Sequence, residues 1–206
     1  IAETYKDSLF RSTAKNKYFV RRISTVLTNT VDVLATQIKQ SGYSVKDVEI
    51  NFSGRTSAEL NLPMKNGNNM VVSGRVDRMD VKDSENDIMY ARVIDYKTGN
   101  TTFDATLAYN GLQLQLLYMD AATGIVKREY PEKEIQSGGF AFFQVKDQYV
   151  ETDGSDSPEQ LKEKLMKSME MSGIINLKAE PNAKKNGVKE ENLRAIQDHV
   201  KKEAIR

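Results

Sequence analysis

Along residues 16–41, apolar side chains fall at Phe19, Val20, Ile23, Val26, Leu27, Val31, Leu34 and Ile38. Steps of three and four place them on one face of a helix, and that face is expected to be buried. Gly42, after Ser41, marks the helix end, because glycine accepts the left-handed conformation beyond a last turn. The β-branched residues lower its intrinsic propensity, so packing must hold it.

A period of two follows. "VEINFSG" alternates, and "SAELNL" is weakly strand-like. Asn66-Gly67 is a hairpin-turn signal ahead of a strand over residues 70–81. A polar turn at 82–87 leads to a second strand over 88–97, which stops at Thr98-Gly99. Residues 105–122 read as one helix despite Gly111, with Leu107, Leu112, Leu114, Leu116, Leu117 and Met119 as its apolar surface. After Gly138-Gly139, "FAFFQV" predicts a short aromatic strand in the core. Strands joined by a short turn pair antiparallel, and a strand reached through a helix is a crossover. The order predicts an α/β sandwich around a mixed sheet.

Beyond residue 150 a polar loop leads to a helix that begins near Ser157-Pro158, since proline suits a first turn. Residues 178–190 read as a polar flexible linker, and "ENLRAIQDHVKKEAIR" as a terminal helix. The division expected is a domain over 1–175, then a linker and terminal helix over 176–206, in the same domain or as an appendage.

With 206 residues, 39% hydrophobic and 29% charged, the chain can form a packed core of ordinary domain size. The net charge is +1, from 30 basic and 29 acidic residues, so a nucleic-acid ligand would need a local basic surface. The absence of cysteine rules out disulfides, thiolate zinc sites and cysteine nucleophiles, and suits a reducing cytoplasm. A single histidine, His199, argues against a histidine metal site or a Ser-His-Asp triad. No apolar run reaches the roughly 18 residues of a membrane span. The opening "IAETYKDSLF" has neither an initiator Met nor a signal-peptide pattern, and reads as part of something longer.

The chemistry concentrates at two strand ends, "GRVDRMD" from Gly74 and "VIDYKTG" from Val93. Alternate side chains share a face, so Ala91, Val93, Asp95 and Lys97 lie together, with Ile94 and Tyr96 opposite. Pairing through the 82–87 turn brings Asp77 near Val93 to Asp95. Gly74 inside a strand weakens it unless another group approaches closely. A lone D-x-K also fits a strand running out into a turn with a solvated lysine. Two nearby aspartates repel unless a cation lies between them. Carboxylate oxygens without His or Cys suit Mg²⁺ or Mn²⁺, which can lower the pKa of a bound water. An adjacent lysine can orient that water and offset charge on phosphorus. The set makes sense as a phosphodiester hydrolysis site.

An acidic residue on one strand and D/E-x-K on the next, flanked by helices, resembles the PD-(D/E)xK nucleases. "GRVDRMD", "VIDYKTG" and "YNGLQLQLLYMDA" resemble their RecB/AddB branch, over roughly residues 10–175. The resemblance implies a restriction-endonuclease-like αβββαβ core and an Mg²⁺- or Mn²⁺-dependent DNA exonuclease in a helicase–nuclease that repairs double-strand breaks. It implies Asp77 and Asp95 as metal ligands with the Tyr96 carbonyl as a third, and Lys97 as the catalytic lysine. Gln115 would be the helix glutamine of the family's Q-x-x-x-Y pattern. That pattern is imperfect here, since Met119 stands four after Gln115, Leu117 four after Gln113, and Tyr118 one place off. The first helix lacks the histidine of many relatives; Glu49 is an acidic substitute or simply a strand residue. Relatives of this branch hold an iron–sulfur cluster through cysteines, and no such cluster can come from this chain's own. Arg75, Arg78 and Gln113 are expected DNA contacts, together with Arg92; the arginines could equally pair with Asp80, Asp83 or Glu85. The Lys pairs at 184–185 and 201–202 read as solvated charge. The implied partners are DNA and another helicase–nuclease component or the rest of a longer polypeptide, with no membrane. The alternative is a nuclease-fold binding or scaffolding module without catalysis, against which the intact D…D-x-K argues.

Overall fold

The computed structural model describes residues 13–52, 60–64, 66–110, 112–152 and 154–188. The expected terminal helix, His199 and the Lys201–Lys202 pair lie outside the described residues.

Helix α1 spans Ala14–Ser41. The Thr13 hydroxyl accepts from the Asn16 amide at its start, and Gly42, at φ 72°, closes it by donating to the Ile38 carbonyl. Its C-terminal half supplies the helix's buried residues, while its N-terminal half is tied to the body through Arg22, which donates to Asp147 and Tyr149. Thr30, Val33, Gln37 and Ser41 are buried, whereas Phe19, Ile23, Leu27 and Val31 of the expected buried face are exposed. Part of the inner face is polar because Gln37 donates to the Met169 carbonyl across the interface.

Strands β1 (Ser44–Phe52), β4 (Gly74–Asp83), β5 (Ile88–Lys97), β6 (Glu134–Gln144) and β7 (Ser172–Ile175) form one sheet in the order β1-β4-β5-β6-β7. All neighbours are antiparallel except β5 and β6, the crossover pair, which are parallel. The expected strand over 70–81 is two strands. β3 (Asn69–Val72) turns away at Ser73 to pair with β2 (Leu60–Pro63) in a separate hairpin, and β4 enters the main sheet. The hairpin closes at Gly67, at φ 81°, as the Asn-Gly signal predicts.

The expected helix over 105–122 is also broken. α2 covers Ala105–Tyr109, a 3₁₀ turn covers Leu114–Leu117, and α3 covers Tyr118–Glu129. Helix α3 places Ala121, Ala122 and Val126 against Met79, Val93, Phe140 and Phe142 on one face of the sheet. On the other face, Val33 of α1 packs with Ile94, Ala141, Phe143 and Val188. The phenylalanines of "FAFFQV" are thus core on both sides.

Helix α4 (Pro158–Ser168) opens on a full capping box between Ser157 and Gln160, where the sequence places its start. Residues 176–188 differ from the expected flexible linker. They form consecutive hydrogen-bonded turns that bury Ala179, Glu180, Ala183, Asn186 and Val188 against the sheet. Four residues as short as β7 carry too little pattern to be read in advance; Gly173 is what lets it lie there, since a Cβ would meet the Phe140 carbonyl oxygen at 2.0 Å.

Candidate active site

The β4–β5 register pairs Arg78 with Ile94 and Met79 with Val93, so its next step sets Asp77 opposite Asp95. The short polar turn fixes that alignment, because a tight hairpin leaves no freedom to slip. The Tyr96 amide donates to Asp77 Oδ2 at 2.8 Å, which ties the two strand ends together. Lys97 Nζ lies 2.7 Å from Asp95 Oδ2 and 5.3 Å from the centre of the Phe142 ring. Lys97 and Asp77 are half-buried, and Asp95 is buried. Burial pushes the Asp95 carboxyl above the usual carboxylate range; the Lys97 ammonium opposes this and the Asp77 charge adds to it. The structure therefore brings Asp77, Asp95 and Lys97 to one end of the sheet, where β5 and β6 both end.

Two carboxylates and one ammonium leave the cluster one negative charge in excess when all are ionised. That deficit, and the mutual repulsion of the aspartates, fit a divalent cation with oxygen ligands. Among the described residues no cluster of three or more His, Cys, Asp or Glu side chains exists. A cation here would depend on the two aspartates and backbone oxygen.

Gly74 has the close neighbour its place in a strand demanded. A Cβ there would lie 2.8 Å from the Tyr118 hydroxyl and 3.0 Å from Phe52. Tyr118, the aromatic one place off the Q-x-x-x-Y pattern, packs edge-on to Phe52 with centroids 5.0 Å apart. Gln115 is half-buried in the 3₁₀ turn before α3. Gln113 accepts from the Asp104 amide and donates to the Thr102 carbonyl, so it braces the loop.

The arginines separate. Arg75 is exposed and pairs at 2.9 Å with Glu49, itself an exposed residue of β1. Arg78 cannot be a surface DNA contact. It is 3% exposed, forks onto both oxygens of Asp80 and donates to the Tyr96 hydroxyl at 2.7 Å. Arg92 is 1% exposed and bridges Asp80 to Glu180, each at 2.9 Å, with Tyr43 stacked 4.0 Å from its guanidinium. Asn186 completes this network by donating to Glu180. The signal for it was the R-x-D spacing of Arg78 and Asp80 on β4, with Arg92 of β5 directly across from Asp80; its last acid, Glu180, comes from the stretch that reads as linker.

A mixed sheet between helices, with paired carboxylates and a lysine at a strand end, defines a restriction-endonuclease-like α/β domain. The chain belongs to the PD-(D/E)XK nuclease superfamily, whose model it matches over residues 1–206. It is 30% identical to an ATP-dependent helicase/deoxyribonuclease subunit from Clostridium perfringens (strain SM101 / Type A), over 82% of this chain and 15% of that protein. The protein of the same description from Clostridium novyi (strain NT) is 30% identical, over 100% of this chain and 20% of its own length. That from Lachnoclostridium phytofermentans is 31% identical, over 84% and 14%. The chain spans a fifth or less of these relatives. No helix among the described residues is long and apolar enough to cross a membrane.

Proposed function

We propose that this domain hydrolyses DNA phosphodiester bonds in a reaction dependent on Mg²⁺ or Mn²⁺. It would act exonucleolytically, as the nuclease part of a cytoplasmic helicase–nuclease that processes double-strand breaks. The observation that carries the reading is the meeting of Asp77, Asp95 and Lys97 at one sheet end. The relatives' description as helicase/deoxyribonuclease subunits supports the setting.

In this reading Asp77, Asp95 and the Tyr96 carbonyl hold the cation. When bound, that cation supplies Lewis-acid polarisation of a phosphate oxygen and a more acidic water. The Tyr96 amide keeps Asp77 turned toward Asp95. Lys97 orients the attacking water and offsets negative charge on the phosphate, as a compact cation can. In this reading Gln115, in the turn before α3, belongs to the site as the resemblance implies, and Arg75, at the exposed start of β4, contacts the DNA backbone without reading bases.

The test uses linear and circular duplex and single-stranded DNA with each metal. Lys97→Ala should lower the cleavage rate by about 10²–10⁴-fold, the usual worth of a proton-handling side chain. Linear DNA should be consumed and closed circles spared. Equal rates for wild type and Lys97→Ala would overturn the catalytic assignment, and cutting of closed circles would overturn the exonuclease one. Calorimetric Mn²⁺ binding that survives Asp77→Asn and Asp95→Asn together would overturn the metal site.

A further inference from the structure

Phe142 stands beside Asp95 in the parallel β5–β6 register, and Phe140 beside Val93. Alternation places these residues, with Lys97, on the sheet face that α3 covers. The Phe142 ring is 1% exposed and meets Phe140 edge-on, with centroids 4.9 Å apart and planes at 87°, so packing fixes where its face points. Lys97 Nζ lies over that face at 5.3 Å from the ring centre while it reaches Asp95 Oδ2 at 2.7 Å. The ammonium thus has two partners, one carboxylate and one ring.

The two partners respond differently to a divalent cation at the aspartates. Carboxylate oxygens are what a hard cation takes, so the Asp95 charge that holds Lys97 is the same charge such an ion uses. An aromatic ring is no ligand for a hard cation, yet the negative face of its quadrupole attracts an ammonium. Lysine needs such a second hold, because its charge sits on a flexible four-carbon stem and is strongly hydrated. An aliphatic side chain at 142 could fill the space beneath α3 but would offer the ammonium nothing.

We infer that Phe142 is a positioning residue for Lys97: its ring face keeps the ammonium at the strand end whatever else Asp95 binds. The inference rests on the reading of Lys97 as the catalytic lysine. Phe140 is the natural control, being equally buried on the same strand and face but beside Val93 rather than Asp95.

A smaller side chain here would open a cavity, so the test alters the ring rather than removing it. Phenylalanine with one, two or three ring fluorines is placed at 142 in the whole chain, since fluorine draws charge from the ring face with little change of volume. On linear DNA with Mg²⁺, kcat should fall stepwise to about three- to tenfold below wild type, the worth of a cation–π contact at a half-buried site, with KM unchanged. The same series at Phe140 should leave kcat unchanged. A second readout needs no turnover. In NMR spectra the Phe142 ring current should move the Lys97 ε-methylene protons upfield of ordinary lysines, both without metal and with Mg²⁺, the signal being assigned by Lys97→Arg. Phe142→Tyr should keep that shift and Phe142→Met should remove it. A flat kcat series at 142 beside a slow Lys97→Ala variant would overturn the positioning role alone. An equal fall in the Phe140 series would reduce the effect to packing, and loss of the upfield shift on adding Mg²⁺ would show that the ring lets Lys97 go; either result sinks the inference. A Lys97→Ala variant as fast as wild type would overturn the catalytic reading and this role with it.

Discussion

Arg92 offers the sharpest test of what holds this fold together. It is 1% exposed, and its two terminal nitrogens each meet a carboxylate at 2.9 Å. Asp80 and Glu180 are buried with it, so Arg78, Arg92, Asp80 and Glu180 form a closed set of two positive and two negative charges. Arg92→Met keeps much of the volume but leaves Glu180 with only the Asn186 amide. Removing one partner of a buried ion pair typically costs about 3–5 kcal/mol, because the other charge stays desolvated and unbalanced. With a urea m-value of about 2 kcal/mol per molar, the unfolding midpoint should fall by about 2 M. Glu180→Gln removes the stranded charge, so Arg92→Met with Glu180→Gln should cost less than the two single changes added together. The measurement is a double-mutant cycle by urea denaturation, followed by circular dichroism. An Arg92→Met loss below about 1 kcal/mol, or strict additivity of the pair, would mean the network is not a coupled unit.

Gly74→Ala should cost about 1 kcal/mol, because its clash is with the Tyr118 hydroxyl and the Phe52 ring edge, which can yield. Gly173→Ala should cost at least twice as much by the same denaturation assay, because there the obstacle is the Phe140 carbonyl and the Ala141 backbone. Ser157→Ala removes the hydroxyl that accepts from the Gln160 amide, and should cost about 1 kcal/mol, with helix α4 losing amide-exchange protection first. Arg78→Met frees the Tyr96 hydroxyl and should weaken Mn²⁺ binding about tenfold by calorimetry, whereas Arg78→Lys should restore part of it. Unchanged metal affinity in a folded Arg78→Met chain would show that Tyr96 is placed without it.

The hairpin that forms the candidate site was legible because three local signals agree. Alternation gives each strand's faces, the polar 82–87 turn gives the register, and Gly74 announces a close neighbour. What was missed lay in one local break and in contacts distant along the chain. Leucine spacing over 105–122 outweighed Asn110-Gly111, so the break between α2 and α3 did not register. Arg78 and Arg92 look like surface cations on charged strands. Their burial depends on Glu180, which lies 88 positions beyond Arg92 in a polar stretch that hydrophobic patterning assigns to solvent. Half of the α1 stripe is exposed for the same kind of reason, since a periodicity says that a face wants cover and not which segment supplies it.

The faces of β5 also explain why charged side chains end a strand that could have buried more valine. Ala91 and Val93 enter the core beneath α3, and the same face then presents Asp95 and Lys97 where that cover ends. On the reverse face Arg92 and Tyr96 flank Ile94, and Arg78 of β4 reaches across to the Tyr96 hydroxyl. Tyr96 thus holds Asp77 through its backbone while the ionic network holds its ring. A strand end anchored only by apolar packing could pivot or fray at little cost. Here a pivot would have to break a part-buried charge-assisted hydrogen bond on one face and an amide–carboxylate bond on the other. Such bonds are roughly twice as strong as neutral ones, and the cost of losing both at once is what keeps two repelling carboxylates side by side.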